Sequence, residues 1–536
     1  MSLIPCQLPL QQPLLIKMAV FGADMGATLS ALLFIIVLLY NLWRRYPRKG
    51  AQSPPQPSGA WPIIGHLHLL DPELNIAHTL AELADKYGPV FTLWFGAQRA
   101  VVVSSREAVF ECFTRNDKSF ANRPITSAGE HLVYDHASFG FSNGPYWREM
   151  RKLVSSEVLS ARRLEAMRNL RVTEIATSIG ELYLETTTKT RGQQPLPSKV
   201  VMSSWVEKMT LNIIVKTIAG KRYGKGAAEV ESFRKLIREF TVLSGEFVPS
   251  DVIPIPFLRW IDPKGHIKSM KRVSKELDVI IEKWVEEHMK RRGKGEGCTE
   301  EQDFIDAMLS TIDDKFAIPK LTIIKATVLN VILGGFDTTS VHLTWVLSLL
   351  VNNKHAMNLA RQEIDDKVGN QRWVQESDIN NLPYLQAIIK ESLRLYPPLP
   401  LSIPHQAVED CHLSNYLIPK GTLLFVNIWK LHHDARFWPE PNRFMPERFL
   451  TGHTQVDVMG QQYEYIPFGT GRRSCPGTTF AMQVTSLTVA RLIQGFDFAT
   501  EGNEAVDMAE GIGITMPRKN PLEVLVTPRL PSQLYE

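Results

Sequence analysis

One short stretch of the sequence, residues 468–477, has the composition of a ligand-binding loop, with Cys475 placed between glycines. Glycine lets the backbone turn tightly and approach a flat ligand closely. Pro476 and the apolar repeat over residues 478–496 predict a helix directly after the cysteine. The partial positive charge at a helix N-terminus, with Arg473 nearby, favours a thiolate over a thiol. An anionic sulfur on such a loop suits the axial position of an iron porphyrin.

The same stretch resembles the haem-thiolate signature of the cytochrome P450 superfamily. The matching positions are Phe468, Gly471, Arg473, Cys475 and Gly477. The resemblance implies that Cys475 ligates the iron of haem b and that the other four residues shape the cofactor site. The alternative is a buried cysteine that only packs, which is common for an isolated cysteine but does not account for the surrounding motif.

A long apolar segment, residues 321–353, predicts a helix that is buried on nearly all sides. Its ionisable residues are Lys325, Asp337 and His342. At about 1.5 Å per residue, such a helix would cross a whole domain. The alternative is a second membrane span, and Asp337 with two glycines near the middle argues against it.

Within this segment, Gly334 and Gly335 precede Asp337 and Thr338. Paired glycines leave space beside a flat cofactor, and a threonine hydroxyl can bond a carbonyl one turn earlier. A water in that opening, backed by a carboxylate, could supply the protons that oxygen cleavage requires. The segment resembles the oxygen-activation motif of cytochromes P450, which implies that Asp337 and Thr338 are catalytic. Phe336 is bulkier than the residue expected at its position in that motif.

Three charged residues match a structural feature of the same family. Glu391 and Arg394 are three residues apart on a predicted helix, as in many weak surface ion pairs. Together with Arg448, they resemble the family's buried glutamate–arginine–arginine network behind the haem. The resemblance therefore implies a structural role for all three side chains.

Four residues are implied to contact the haem propionates, one of them Arg473 of the cysteine loop. Trp147 and Arg151 are four residues apart and would project to one side of a helix. The resemblance adds Arg473 and His405 to them. Arginine suits this task because its guanidinium binds a carboxylate through two hydrogen bonds.

The resemblance also indicates which segments surround the substrate, namely 125–140, 331–338, 397–404 and 511–515. They supply the apolar side chains Leu132, Phe139, Leu333, Leu399, Leu401, Ile403 and Ile514. An apolar pocket favours a hydrophobic small molecule. Core packing is the alternative for each of these side chains taken singly.

Composition excludes several other classes of protein. The 536 residues have a net charge of only +4, with no dense basic run, so nucleic-acid binding is not expected. The five cysteines are scattered without the spacing of a zinc or redox site, which is typical of a reducing compartment. The glycines in 293–297 follow no predicted strand and so do not indicate nucleotide binding.

The N-terminal region predicts a membrane anchor. Residues 25–43 contain no charged side chain and would span roughly 28 Å as a helix, and basic residues follow at once. The positive-inside rule then places the remainder in the cytosol. A cleaved signal peptide is the alternative. The predicted organisation is a segment 1–24, an anchor 25–43, a basic and proline-rich linker 44–60, and a catalytic domain 61–536.

Together these features predict a mainly α protein with small β-sheets, the cytochrome P450 fold, behind a single transmembrane helix at the endoplasmic reticulum. The resemblance extends to the plant microsomal branch that contains nicotine N-demethylase, flavone hydroxylases and alkaloid or terpenoid hydroxylases. It implies a monooxygenase that uses O2 and takes electrons from NADPH–cytochrome P450 reductase. The alternatives are a haem-thiolate isomerase or lyase that acts on a peroxide, and a haem-binding membrane protein without catalysis.

Overall fold

This computed structural model describes residues 52–536, apart from positions 62, 72, 188–196, 224–227, 247, 254–261, 295–302 and 314, together with the isolated positions 28, 31, 32 and 35. The N-terminal segment 1–24 and nearly all of the predicted anchor 25–43 lie outside the described residues.

Helices dominate the described part of the chain, as predicted. They are α1 (Ile76–Tyr87), α2 (Arg106–Phe113), α3 (Ser127–Leu132), α4 (Gly144–Leu153), α5 (Ala161–Ala166), α6 (Arg168–Thr187), α7 (Met202–Ala219), α8 (Ala228–Gly245), α9 (Pro249–Val252), α10 (His266–Gly293), α11 (Phe304–Thr311), α12 (Lys320–Asn352), α13 (Lys354–Lys367), α14 (Pro383–Leu395), α15 (Ile428–His432) and α16 (Thr478–Gly495). A π-helical segment, Val154–Val158, continues α4.

The strands form small sheets. They are β1 (Val90–Phe95), β2 (Gln98–Val103), β3 (Ser198–Val201), β4 (His405–Gln406), β5 (Cys411–Leu413), β6 (Tyr416–Ile418), β7 (Leu423–Val426), β8 (Phe496–Ala499) and β9 (Glu523–Pro528). Their orders are β1-β2-β7-β4, β3-β9-β8 and β5-β6. Strands β1 and β2 form a hairpin, with Val90 opposite Val103 and a two-residue turn at Gly96. The prediction of a mainly α protein with small sheets is confirmed.

The long helix α12 forms the centre of the core. Apolar residues on nearly all of its faces are buried, and it packs chiefly against α7, α14 and α16. Among the described residues it is the one helix long and apolar enough to cross a membrane, but here protein surrounds it. Gly335 permits the close contact with α7, since a Cβ there would lie 2.5 Å from the Cδ1 of Ile214.

The described part of the predicted linker lies against the domain. The carbonyl of Pro55 accepts a 2.7 Å hydrogen bond from the backbone of Thr92 in β1, and the backbone of Leu417 in β6 donates to the carbonyl of Gln52. Pro57 is buried and its carbonyl pairs with His66. The chain from residue 52 onward therefore packs on the sheet instead of forming a free spacer.

Candidate active site

The cysteine loop is folded by its glycines and by one backbone bond. Gly469 and Gly471 have φ of 70° and 69°, a region that side chains other than glycine rarely adopt. The backbone N–H of Cys475 donates 2.9 Å to the carbonyl of Phe468 and closes the loop. Helix α16 follows at Thr478, with Gly477 as its N-cap. The predicted position of Cys475 before a helix is therefore confirmed.

Cys475 lines a large cavity, and its side chain is exposed to the space there. The backbone N–H of Gly477 donates to its sulfur over 3.3 Å. Burial raises the pKa of the thiol, while the hydrogen bonds from Gly477 and Thr478 and the charge of Arg151 lower it. The expected effect of the helix N-terminus is present in the hydrogen bond from Gly477, but burial outweighs it in the direction of this pKa. The cation acting on the sulfur is Arg151, not Arg473 as predicted.

The cavity has a volume of about 280 Å³ and lies between α12 and the cysteine loop. Its wall is largely apolar, with polar groups gathered near the cysteine. The predicted residues that line it are Phe139, Trp147, Arg151, Thr338, Leu399, Ile403, His405, Phe468, Arg473, Cys475 and Gly477. A cavity with one soft sulfur donor and an apolar remainder can hold a flat cofactor and a hydrophobic ligand together.

A cluster of buried arginines borders the cavity. Arg473 donates 2.7 Å to the carbonyl of Ala121, and its guanidinium lies 3.9 Å from the ring centre of Trp147. Its Nη1 is buried without a hydrogen-bond partner among the described residues. Burial, followed by the charges of Arg123 and Arg151, lowers the pKa of Arg473 to about 8.

Arg123 is a member of this cluster that the sequence analysis did not identify. Its Nη1 donates 2.6 Å to the carbonyl of Ile403 and 2.9 Å to that of Pro404. His405 bonds the carbonyl of Phe120 over 2.8 Å, and burial lowers its pKa far below the usual range. No described carboxylate forms an ion pair with the cluster's arginines. Uncompensated cations of this kind fit an anionic ligand, and the two carboxylates of a haem would satisfy them.

On the opposite wall, the two predicted catalytic residues point in different directions. The hydroxyl of Thr338 donates 2.5 Å to the carbonyl of Gly334 and lies in the cavity wall. The carboxylate of Asp337 instead accepts a 2.8 Å hydrogen bond from the hydroxyl of Thr515. Adjacent residues on a helix lie about 100° apart, so the two side chains do not share a face. Phe336 is 1% exposed and packs into the core, so its bulk does not narrow the cavity.

Burial raises the pKa of Asp337 to about 6. The hydrogen bond from Thr515 and the charge of Arg238 oppose this effect, and Glu207 adds to it. Arg238 is paired with Glu207 and is half exposed, so it reaches solvent. Asp337, on the helix that borders the cavity, is therefore influenced by a charged group that is open to water.

The network behind the cysteine loop contains the three predicted residues. Arg394 donates to both carboxylate oxygens of Glu391, over 2.7 and 2.8 Å. Arg448 donates 3.0 Å to the same carboxylate, as does the backbone of Met445 over 2.9 Å. The side chains of Glu391 and Arg394 are fully buried. Every charge in this network therefore has a partner, which a buried ion pair needs to be stable.

Several predicted residues lie outside the cavity wall. Leu132 and Leu333 pack in the main core, Leu401 packs against the sheet, and Ile514 contacts Gly245 of α8. Gly471 also lies outside the lining, because a Cβ there would meet Asp117 and Phe113. Conversely, Arg123, Thr217 and Asn330 line the cavity although the sequence analysis did not select them. No periodicity marks these three polar positions, so a single sequence offers no signal for them.

The family model for "Cytochrome P450" matches residues 54–524 of this chain. The chain is a cytochrome P450. Vinorine hydroxylase of Rauvolfia serpentina is 51% identical over 511 residues, which cover 94% of this chain and 97% of that protein. A nicotine N-demethylase of Nicotiana tomentosiformis is 48% identical, covering 93% and 97%. A flavonoid-6-hydroxylase of Mentha piperita is 47% identical, covering 95% and 99%.

Solved cytochrome P450 structures share the fold. A zebrafish cytochrome P450 solved with progesterone superposes with a TM-score of 0.70 at 26% identity, covering 85% of this chain and 100% of that one. The predicted fold is thus confirmed for the catalytic domain, as is the resemblance to plant enzymes. Family membership makes this P450 a haem-thiolate oxidoreductase of the monooxygenase type, which requires O2, a substrate and a redox partner.

Proposed function

We propose that this P450 inserts one oxygen atom into a hydrophobic, ring-rich plant metabolite, an alkaloid, flavonoid or terpenoid. The observation that supports this most directly is the cavity itself, which places the Cys475 sulfur and the Thr338 hydroxyl in the wall of one apolar space. The other oxygen atom leaves as water after two electrons and two protons have been taken up. NADPH–cytochrome P450 reductase supplies the electrons.

Haem b is the cofactor that these residues would hold. Cys475 would ligate the iron, and Arg473, Arg151, Trp147 and His405 would contact the propionates. The unpartnered Nη1 of Arg473 supports this assignment. When bound, the haem supplies the oxidising chemistry and the thiolate supplies electron density that favours O–O cleavage.

Asp337 and Thr338 are the residues that transfer protons in this reaction. A carboxyl with a pKa near 6 can both bind and release a proton close to neutral pH. Asp337 takes protons from the side of Glu207 and Arg238, where water has access, and passes them toward the cavity. The hydroxyl of Thr338 donates to the carbonyl of Gly334 and lies in the cavity wall, where its oxygen can hold a water that accepts them.

The substrate class follows from the wall and from the relatives. Phe139, Val331, Leu399 and Ile403 contribute apolar surface, which excludes sugars and polyanions. The curated relatives are named for vinorine, nicotine and flavonoids. These share rigid rings with a few polar atoms, and such molecules suit this cavity.

The reductase would bind beside the cysteine loop, where Arg148, Lys152 and Arg472 are exposed. Positive side chains there would attract an acidic partner surface and raise the rate of association. The predicted helix 25–43 would hold the domain on the cytosolic face of the endoplasmic reticulum. The apolar composition of that segment and the basic residues after it support this orientation.

The test uses the haem-loaded full-length protein with reductase in membranes. We expect at least one member of a panel of alkaloids, flavonoids and terpenoids to displace the water on the iron, which shifts the Soret band. The same compound is expected to yield an oxygenated product only when NADPH, O2 and reductase are all present. Rearrangement of an organic peroxide itself, with both of its oxygen atoms retained and without NADPH or O2, would instead support the isomerase or lyase alternative. A haem protein that converts nothing in the panel under either condition would contradict the proposal.

A further inference from the structure

One polar side chain lies in the apolar part of the cavity wall, away from the cysteine. Asn330 is on α12, two turns before Thr338, and both residues line the cavity. Eight residues correspond to about 12 Å along the helix axis. The surrounding wall includes Phe139, Val331 and Ile218. The amide of Asn330 is therefore a polar group set among apolar side chains, two helical turns from Thr338.

The orientation of this amide is fixed by its partners. Its Oδ1 accepts 2.8 Å from the backbone N–H of Gly140 and 2.9 Å from the hydroxyl of Ser138. A backbone N–H can only donate, so the atom facing Gly140 must be the oxygen and not the nitrogen. Gly140 is required for this approach, because a Cβ there would lie 2.8 Å from Oδ1.

The NH2 group of Asn330 takes no part in these two hydrogen bonds. Nδ2 donates to no atom among the residues that the structure describes, and it is not enclosed by protein atoms. The nearby Thr217 differs, since its hydroxyl donates 2.7 Å to the carbonyl of Ile213 in its own helix. Two N–H donors thus border an apolar space, and a donor removed from water without a partner costs free energy.

We infer that Asn330 is a specificity-determining residue that donates a hydrogen bond to a neutral acceptor oxygen of the substrate. This inference rests on the proposed function and adds the chemistry of one subsite to it. A carbonyl, hydroxyl or ether oxygen can accept from Nδ2, whereas an ammonium group has no lone pair and cannot. Because Asn330 lies about 12 Å from Thr338 along the helix axis, its amide selects the carbon that lies near the haem.

The experiment uses ligands that do not depend on knowing the substrate. N-phenylimidazole and N-biphenylylimidazole bind a haem iron through the imidazole and extend a tail of known length into the cavity. Each azole is prepared in two forms, one with an acetyl group and one with an ethyl group at the far end. The two groups have a similar shape, but only the acetyl group carries an acceptor oxygen. Affinity is measured from the Soret shift of the haem-loaded enzyme.

We expect the acetyl member to bind about fivefold to tenfold more tightly than the ethyl member at the tail length that reaches Asn330. In Asn330→Leu, which has a similar volume but no donor, the two members bind equally. The matched control Ser138→Ala loses one anchoring bond and keeps the donor, so it retains the preference.

Equal affinities for both members in the wild-type enzyme at both tail lengths would overturn the inference, and this comparison needs no variant to fold. A preference that persists unchanged in Asn330→Leu would overturn it as well. The absence of any azole-induced shift would contradict haem ligation itself, so the proposed function would fail first and this inference with it.

Discussion

The two walls of the cavity are built in different ways. Behind the cysteine loop, the carboxylate of Glu391 is bonded by Arg394, Arg448 and the backbone of Met445, and all of these bonds are internal to the protein. The opposite wall on α12 is mostly apolar, and its few polar groups keep some bonding capacity free toward the cavity.

This difference explains what each wall contributes. A buried charge network tolerates few substitutions, because the loss of one member leaves its partners unpaired in a medium of low dielectric. An apolar wall accepts other apolar residues of similar volume, since no specific bond is broken. The charge network therefore tolerates little change, whereas the apolar part of the α12 side, away from Asp337 and Thr338, can vary with the substrate.

The largest effect is expected on the cysteine side, from Cys475→Ser. A serine hydroxyl is a poor ligand for the iron, so we expect the red-shifted band of the reduced carbon monoxide complex to disappear together with NADPH-dependent turnover. The absorption spectrum of the reduced, CO-saturated protein measures this. Cys112→Ala is the control, because Cys112 is buried in the core under the sheet and faces no cavity, so its variant keeps the band. An unchanged band in Cys475→Ser would remove the basis for the assigned ligand.

The second largest effect is expected in the buried charge network around Glu391. Glu391→Ala leaves two buried arginines without an anion, at a cost of about 3–5 kcal/mol. We expect little haem-loaded protein, measured as the ratio of Soret to protein absorbance after purification. The matched control is Glu165→Ala, which removes an equally spaced pair with Arg168 whose side chains are 58% and 47% exposed. That change should cost less than about 0.5 kcal/mol. Equal haem occupancy in the two variants would show that burial of the network is unimportant.

The third largest effect, a loss of turnover, is expected from a substitution on α12. Asp337→Asn keeps the shape of the side chain and an acceptor for Thr515 but cannot exchange a proton, so we expect turnover to fall by about 10²-fold. The carbon monoxide spectrum should be unchanged, because Asp337 is not part of the cysteine wall. Product formation and NADPH consumption are measured together. Unaltered turnover would assign Asp337 a packing role only.

Sequence patterns located the cysteine wall better than the substrate wall. The loop around Cys475 and the helix over residues 320–352 follow from local motifs, since each depends on residue types at short spacing. The buried role of Glu391 came only from the family resemblance, because its spacing from Arg394 is also that of many surface pairs. The pKa of Cys475 did not follow, because desolvation depends on the whole surrounding fold and not on the helix that starts beside it.

The substrate wall depends on which face of each element turns inward. Leu132 and Phe139 come from one loop region, yet Leu132 packs in the core and Phe139 lines the cavity. Arg123 and Asn330 line it as well. Nothing near Arg123 in the sequence marks it, and the burial expected around Asn330 does not show that its amide borders a cavity. Contacts between distant segments, such as Thr515 with Asp337, are also invisible to periodicity.

The smallest effect is expected from Thr515→Val, which tests how the protonation of Asp337 is set. The threonine hydroxyl donates to the carboxylate and stabilises its charged form, so it holds the pKa of Asp337 below the value that burial alone would produce. Valine has the same shape without the hydroxyl. Its substitution should raise the pKa of Asp337 above about 6, by about one pH unit.

The sign of the pH effect follows directly. A raised pKa keeps Asp337 protonated at higher pH, so the limb of the turnover profile in which activity falls as this acid loses its proton should move upward by about one pH unit. Glu207 and Arg238 remain in place in Thr515→Val, so their charges do not confound the comparison. Turnover is measured at constant ionic strength across the pH range, with Asp337→Asn as the reference that lacks this limb. A profile that moves to lower pH, or that is identical to the wild type, would show that Thr515 only packs against α12.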